Sequence, residues 1–138
     1  MAVVAYINFK GNCREAVTFY ADVFGAQAPK IMTYGEQQSD YPMSEVMKNM
    51  VMHTELNILG TTVMFSDTFD DEHFKVGNNI SLTLVSDDAE ALKSAFNKLK
   101  MGGHVNMELQ QTFWSSLYGF VTDKYGIGWQ VSHEPAKS

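Results

Sequence analysis

Apolar residues crowd positions 3–9 (VVAYINF) and break at Gly11-Asn12. They then recur with helical spacing, placing Ala16, Val17, Phe19, Tyr20, Val23 and Phe24 on one stripe. The first run predicts a strand. The second predicts an amphipathic helix over residues 13–24, stopped by Gly25. Residues 30–34 are a short strand candidate. Residues 35–50 (GEQQSDYPMSEVMKNM) are polar, carry Pro42, and predict a long loop with one helical turn about 44–48. Two strand-like runs, 51–59 and 61–66, meet at Gly60 and predict a hairpin. Residues 67–79 read as an acidic, partly aromatic loop.

The pattern then restarts. Residues 80–103 (ISLTLVSDDAEALKSAFNKLKMGG) run strand, acidic turn, helix, glycines, as residues 6–25 do. The spacing predicts a helix over 87–100. Asp87 is its expected N-cap, Glu90 completes a capping-box pattern, and Ala91, Leu92, Ala95, Phe96 and Leu99 form the buried stripe. Three more strand candidates follow at 104–110, 118–122 and 128–132, the last two joined by the turn Asp123-Lys124-Tyr125-Gly126. The order is βαβββ, twice, in internal modules of about 1–70 and 78–134. Each unit covers one sheet face with a helix and leaves the other bare, so two units can curl around a shared cavity. The predicted class is α+β: two βαβββ modules forming an open, curved mixed sheet or half-barrel, helices on the outer face.

Composition narrows the class. At 138 residues the chain fits a single domain, and 45% hydrophobic residues suffice for a core. A net charge of −6 with ten scattered basic residues argues against nucleic acid as partner. No apolar run approaches the roughly 18–20 residues that span a bilayer. No basic and apolar leader opens the chain either, so a cytoplasmic protein with no membrane partner is expected. The lone Cys13 cannot form an internal disulfide; at a helix start its thiol pKa can be lowered, although a small helix-entry residue is the simpler reading.

Three separated stretches, YINFKGNCREAVTFYADVFGA (6–26), MHTELNILGTTVMFSD (52–67) and FWSSLYGFVTDKYGIGWQVSHE (113–134), carry a resemblance. Together they resemble the PhnB-like branch of the glyoxalase/bleomycin-resistance/dioxygenase (vicinal oxygen chelate) superfamily. The likeness spans nearly the whole chain and implies paired βαβββ modules. The superfamily hosts isomerases, dioxygenases, antibiotic-binding proteins and thiol transferases, so it does not by itself fix a function. PhnB-like sequences are often labelled methyltransferase-like, yet no Gly-rich loop of the kind a methyl-donor site uses follows the first strand. Metal-using relatives take one ligand each from the first, fourth, fifth and eighth strands. The matching positions here are Ala5, Phe65, Asn79 and Gln130. Ala and Phe coordinate nothing, and Asn and Gln are poor transition-metal ligands without an anionic partner. The resemblance thus implies that the usual metal site is lost, and no cofactor is expected.

His53 and Glu55 share one face of their strand by alternation, opposite Met52, Thr54, Leu56 and Ile58. They are candidate acid–base residues; facing solvent or a dimer partner is the competing reading. If a displaced metal site exists, His53, Glu55 and Asp67 are its candidate ligands, while His73, His104 and His133 read as surface residues. Phe113, Trp114, Tyr118 and Phe120 cluster before and into the seventh strand, with Trp129 and Gln130 on the eighth. Core packing accounts for Phe120 and Trp129 more readily than for Trp114. Met32, Met52 and Met64 suit an adaptable pocket wall, and Met43, Met47 and Met50 a lid or dimer contact. Two functions follow as expectations. One is a homodimeric binding protein that holds an apolar or aromatic small molecule through Asn79, Trp114, Tyr118 and Gln130. The other is a lyase, isomerase or transferase with His53 or Glu55 as general base.

Overall fold

A computed structural model describes residues 1–37, 42–69 and 72–136. The chain divides into two compact units, Met1–Lys75 and Val76–Ser138. Residues 38–41 and 70–71, within the two long predicted loops, lie outside the described residues.

The first unit runs β1 (Tyr6–Phe9), α1 (Cys13–Phe24), β2 (Met32–Thr33), α2 (Glu45–Asn49), β3 (Val51–Ile58) and β4 (Thr61–Asp67). Its sheet has the order β1-β4-β3-β2, with β1 parallel to β4 and the other pairs antiparallel. The predicted apolar stripe makes α1, which buries Cys13, Ala16, Val17, Tyr20, Ala21 and Val23. Tyr20 lies on Phe65 with ring centroids 5.8 Å apart, and Leu56, Ile58 and Val63 complete this face of the sheet. Full burial of each such side chain contributes about 1.5–3 kcal/mol. Gly25 ends α1 in the left-handed region (φ 61°), which lets the Ala26 N–H reach the Ala21 carbonyl at 2.9 Å.

Several predicted bounds move. The first strand starts at Tyr6, where β1 pairs with Met64; Met1 and Val3 are exposed. The 30–34 strand contracts to β2 because the chain then turns through a 3-10 segment, Tyr34–Glu36, anchored by the Tyr34 N–H on the Met50 carbonyl at 3.1 Å. The helical turn lies one residue later than predicted, with Ser44 as its N-cap, the hydroxyl accepting from the Met47 N–H at 3.2 Å.

The second unit repeats the first: β5 (Ser81–Ser86), α3 (Ala89–Leu99), β6 (His104–Gln110), β7 (Tyr118–Thr122) and β8 (Gly128–His133). Its order is β5-β8-β7-β6, again with the first strand parallel to the last. The N-cap of α3 is Asp88, not Asp87: the Asp88 carboxylate accepts from the Ala91 N–H at 3.0 Å. Leu92, Ala95, Phe96 and Leu99 pack α3 on its sheet. The approach is close enough that a Cβ on Gly119 would meet Phe96 and Leu109 carbons at 2.9 Å. Trp129 is core, 1% exposed, with its Nε1–H on the Asp123 carboxylate at 2.8 Å. The other Asp123 oxygen accepts from the Tyr125 and Ile127 N–H groups and fixes the β7–β8 turn. Among the described residues no helix is long and apolar enough to cross a membrane.

Candidate functional site

In each unit one sheet face packs on the helix and the opposite face carries the polar chemistry. In the first unit Thr54, Leu56 and Ile58 of β3 are buried on the α1 side, so His53 and Glu55 stand on the opposite face. The structure brings them together: His53 Nε2 lies 3.6 Å from Glu55 Oε2. A third residue joins them, since the Tyr6 hydroxyl lies 3.2 Å from His53 Nδ1. The carboxylate favours a proton on Nε2, which leaves Nδ1 to accept from the phenol. Tyr6 and Glu55 both lie opposite Met64 of β4, which puts all four on this face. Sequence reading missed Tyr6. The signal that finds it is the parallel β1–β4 register, which becomes visible only once β1 and β4 are known to pair.

Asp67 does not join this group. It is 2% exposed and faces the α1 side, where one oxygen accepts from the Gly11 N–H (2.8 Å) and the Cys13 N–H (3.0 Å). The other oxygen accepts from the Val51 N–H at 2.9 Å. Asp67 therefore caps α1 from the end of β4. Among the described residues no three His, Cys, Asp or Glu side chains are grouped to hold a metal ion. Phe65 is fully buried against Tyr20, so the fourth-strand ligand position is core. Cys13 is buried as well. Burial and, secondarily, the Asp67 charge push its thiol up to about 12, outweighing the opposing charge of Arg14.

In the second unit Tyr118 and Gln130 point away from α3. The Tyr118 hydroxyl donates to Gln130 Oε1, and the Gln130 amide donates to the Ser81 hydroxyl at 2.8 Å. The Trp114 ring meets Tyr118 edge-on, centroids 5.3 Å apart, and Phe113 meets Trp114 at 4.7 Å. Trp114 stays 54% exposed and Phe113 97%, so three of the four expected ligand residues form one aromatic, hydrogen-bonded surface. Asn79 is exposed in the turn before β5, and no hydrogen bond ties it to that chain among the described residues. Ser81, which orients Gln130, was not anticipated. A cleft of about 680 Å³ also opens in the first unit, between the chain after α1 and the β3–β4 hairpin, with Lys30, Glu55, Asn57 and Thr62 in its wall. Of the predicted residues it reaches Glu55 alone.

Comparison with known proteins agrees with this architecture. The family model described as 3-demethylubiquinone-9 3-methyltransferase matches residues 1–132. A solved Pseudomonas aeruginosa protein, PA1353, is 31% identical over 99% of both chains, with a TM-score of 0.83. Protein YjdN of Escherichia coli is 28% identical, covering 96% of this chain and 95% of its own. A Bacillus cereus PhnB protein shares the fold at 24% identity and a TM-score of 0.77, covering 97% of this chain and 100% of its own. The fold extends to a glyoxalase/bleomycin resistance protein/dioxygenase family enzyme from Burkholderia phytofirmans. With nearly its whole length matched, the chain belongs to the PhnB-like 3-demethylubiquinone-9 3-methyltransferase family, on the glyoxalase/bleomycin-resistance fold.

Proposed function

We propose that the protein is a cytoplasmic, homodimeric small-molecule binding protein that works without the superfamily's usual metal. Its ligand is a neutral apolar or aromatic molecule held on the Trp114–Tyr118–Gln130 surface. The observation that carries this reading is the contrast between the two tryptophans. Trp129 is buried with its N–H satisfied, whereas Trp114 is held half-exposed against an oriented phenol and amide. A rigid aromatic with adjacent fixed polar groups suits ligand capture. The net charge of −6 disfavours an anionic ligand.

The donors at the matched metal positions support a metal-free reading. Ala5 and Phe65 offer no ligand atom, and Gln130 is committed to Tyr118 and Ser81. The family description names a methyltransferase, but the residues after β1 do not fit a methyl donor. That turn holds one glycine, and its Gly11 and Cys13 amides are spent on Asp67.

The test is fluorescence titration with N-phenyl-1-naphthylamine, a neutral apolar probe. Trp114→Ala should weaken probe binding by about 2 kcal/mol or more, as for a buried aromatic anchor, with folding unchanged. Single-tryptophan variants separate the Trp114 signal from that of Trp129. Unchanged affinity in Trp114→Ala would remove the aromatic surface as the site. A second reading rests on the Tyr6–His53–Glu55 chain, whose carboxylate-oriented imidazole suits a general base. Turnover of a bound ligand that is lost in His53→Gln would favour that enzyme.

A further inference from the structure

Ser116 lies between Trp114 and Tyr118 in sequence and meets His133 at the end of β8, beside the chain that leads into α3. Ser116 Oγ is 2.6 Å from His133 Nδ1, and His133 Nε2 is 3.0 Å from the Asp87 backbone carbonyl. A carbonyl only accepts, so the proton sits on Nε2 and the Nδ1 lone pair faces the Ser116 hydroxyl. The imidazole is thus fixed in the tautomer that can take the serine proton, which is the relation of an activated nucleophile to an oriented base. The turn is rigid. Buried Ser115 donates to the Leu117 and His133 carbonyls at 2.8 and 3.0 Å, and its own N–H reaches the Thr112 hydroxyl. Ser116, by contrast, is exposed to solvent, and its backbone N–H meets no protein acceptor among the described residues.

We propose that Ser116 is an acyl-accepting nucleophile and His133 its general base, acting on uncharged carboxylic esters. Ser116 Oγ bonds to the ester carbonyl carbon while its proton passes to His133 Nδ1. The carbon–oxygen bond to the alcohol breaks, and the alcohol leaves with that proton. Water, deprotonated by the same nitrogen, then hydrolyses the acyl-serine and restores Ser116. The free Ser116 N–H is an available donor for the oxyanion, and the Asp87 carbonyl steadies the imidazolium. Glu134 follows His133 in sequence and Asp87 meets the imidazole through its backbone carbonyl, so their carboxylates repel phosphate or carboxylate substrates, which selects a neutral ester.

The experiment is incubation of the full chain with p-nitrophenyl acetate, followed by nitrophenol release and peptide mapping. One acetyl group should appear on the Ser116 peptide. Ser116→Ala and His133→Asn should each slow nitrophenol release by roughly tenfold or more. Acetyl groups on lysines or the N-terminus alone, or an unaltered rate in Ser116→Ala, overturn the proposal. Ser116→Cys provides a readout independent of esterase activity and of whether His133→Asn folds. Its introduced thiol should react with iodoacetamide faster in the folded protein than in urea. The rate is read on the peptide that carries position 116, which keeps it apart from Cys13, a thiol buried in the folded chain and freed in urea. An equal or slower folded rate overturns the assignment.

Discussion

At Asp67 three backbone amides converge on one carboxylate, and this saturation makes the residue an anchor rather than a ligand. Its partners Gly11 and Cys13 are 56 and 54 residues away in sequence, so no local pattern could disclose them. Cys13 inherits the consequence. Its thiol is buried beside that charge, with its pKa raised from 9.0 to about 12. In the unfolded chain the thiol ionises from about pH 9, while in the folded chain it stays neutral. Its contribution to stability is therefore intact below about pH 9 and lost as pH rises toward 12. Urea denaturation over that range should show wild type losing stability relative to Cys13→Ala. Parallel pH curves for the two would contradict the buried, neutral thiol.

Among the elements, the two long helices, α1 and α3, are built from the same stripe but capped by different means. α3 takes its cap from Asp88 next to its first residue, whereas the Asn12 side chain leaves α1 uncapped and Asp67 supplies the need. Periodicity made both helices legible; it could not choose between adjacent aspartates at α3, because either can precede the stripe. The choice has a measurable sign. Asp88→Ala should cost about 1 kcal/mol in urea unfolding, while Asp87→Ala should stay within about 0.5 kcal/mol. Asp87 meets His133 through its backbone carbonyl, which the substitution keeps. The strand faces were half-legible. Alternation paired His53 with Glu55, but only the packing of α1 on Thr54, Leu56 and Ile58 decided which face they occupy.

For the whole molecule, the repeat read from the sequence is the repeat observed, with sheet orders β1-β4-β3-β2 and β5-β8-β7-β6. It was legible because each module announces itself by strand, turn, helix and glycine in the same order. The chemistry was less so. Trp114, Tyr118 and Gln130 were found as residue types suited to a ligand, but Ser81, Tyr6 and the Ser116–His133 pair depend on which strands lie side by side. Corresponding strand ends hold different residues: Asp67 opposite Phe9 in the first unit, His133 opposite Ser86 in the second. Strands that end a sheet order, such as β6, favour association. Sedimentation velocity at micromolar concentration should give a dimer for wild type and for Trp114→Ala. A monomeric wild type would refute the proposed assembly, and dissociation by Trp114→Ala alone would make the aromatic cluster a subunit contact.

The remote cap also bears on the order in which the chain takes shape. The α3 cap is encoded beside the helix, so its first turn can close as soon as residues 88–91 meet. The Gly11 and Cys13 amides must stay with water until β4 has been synthesised and laid beside β1. Closing so long a loop costs entropy before any bond repays it. On a ribosome, where the N-terminal segment emerges first, α1 appears before α3, yet its cap waits for β4 to emerge.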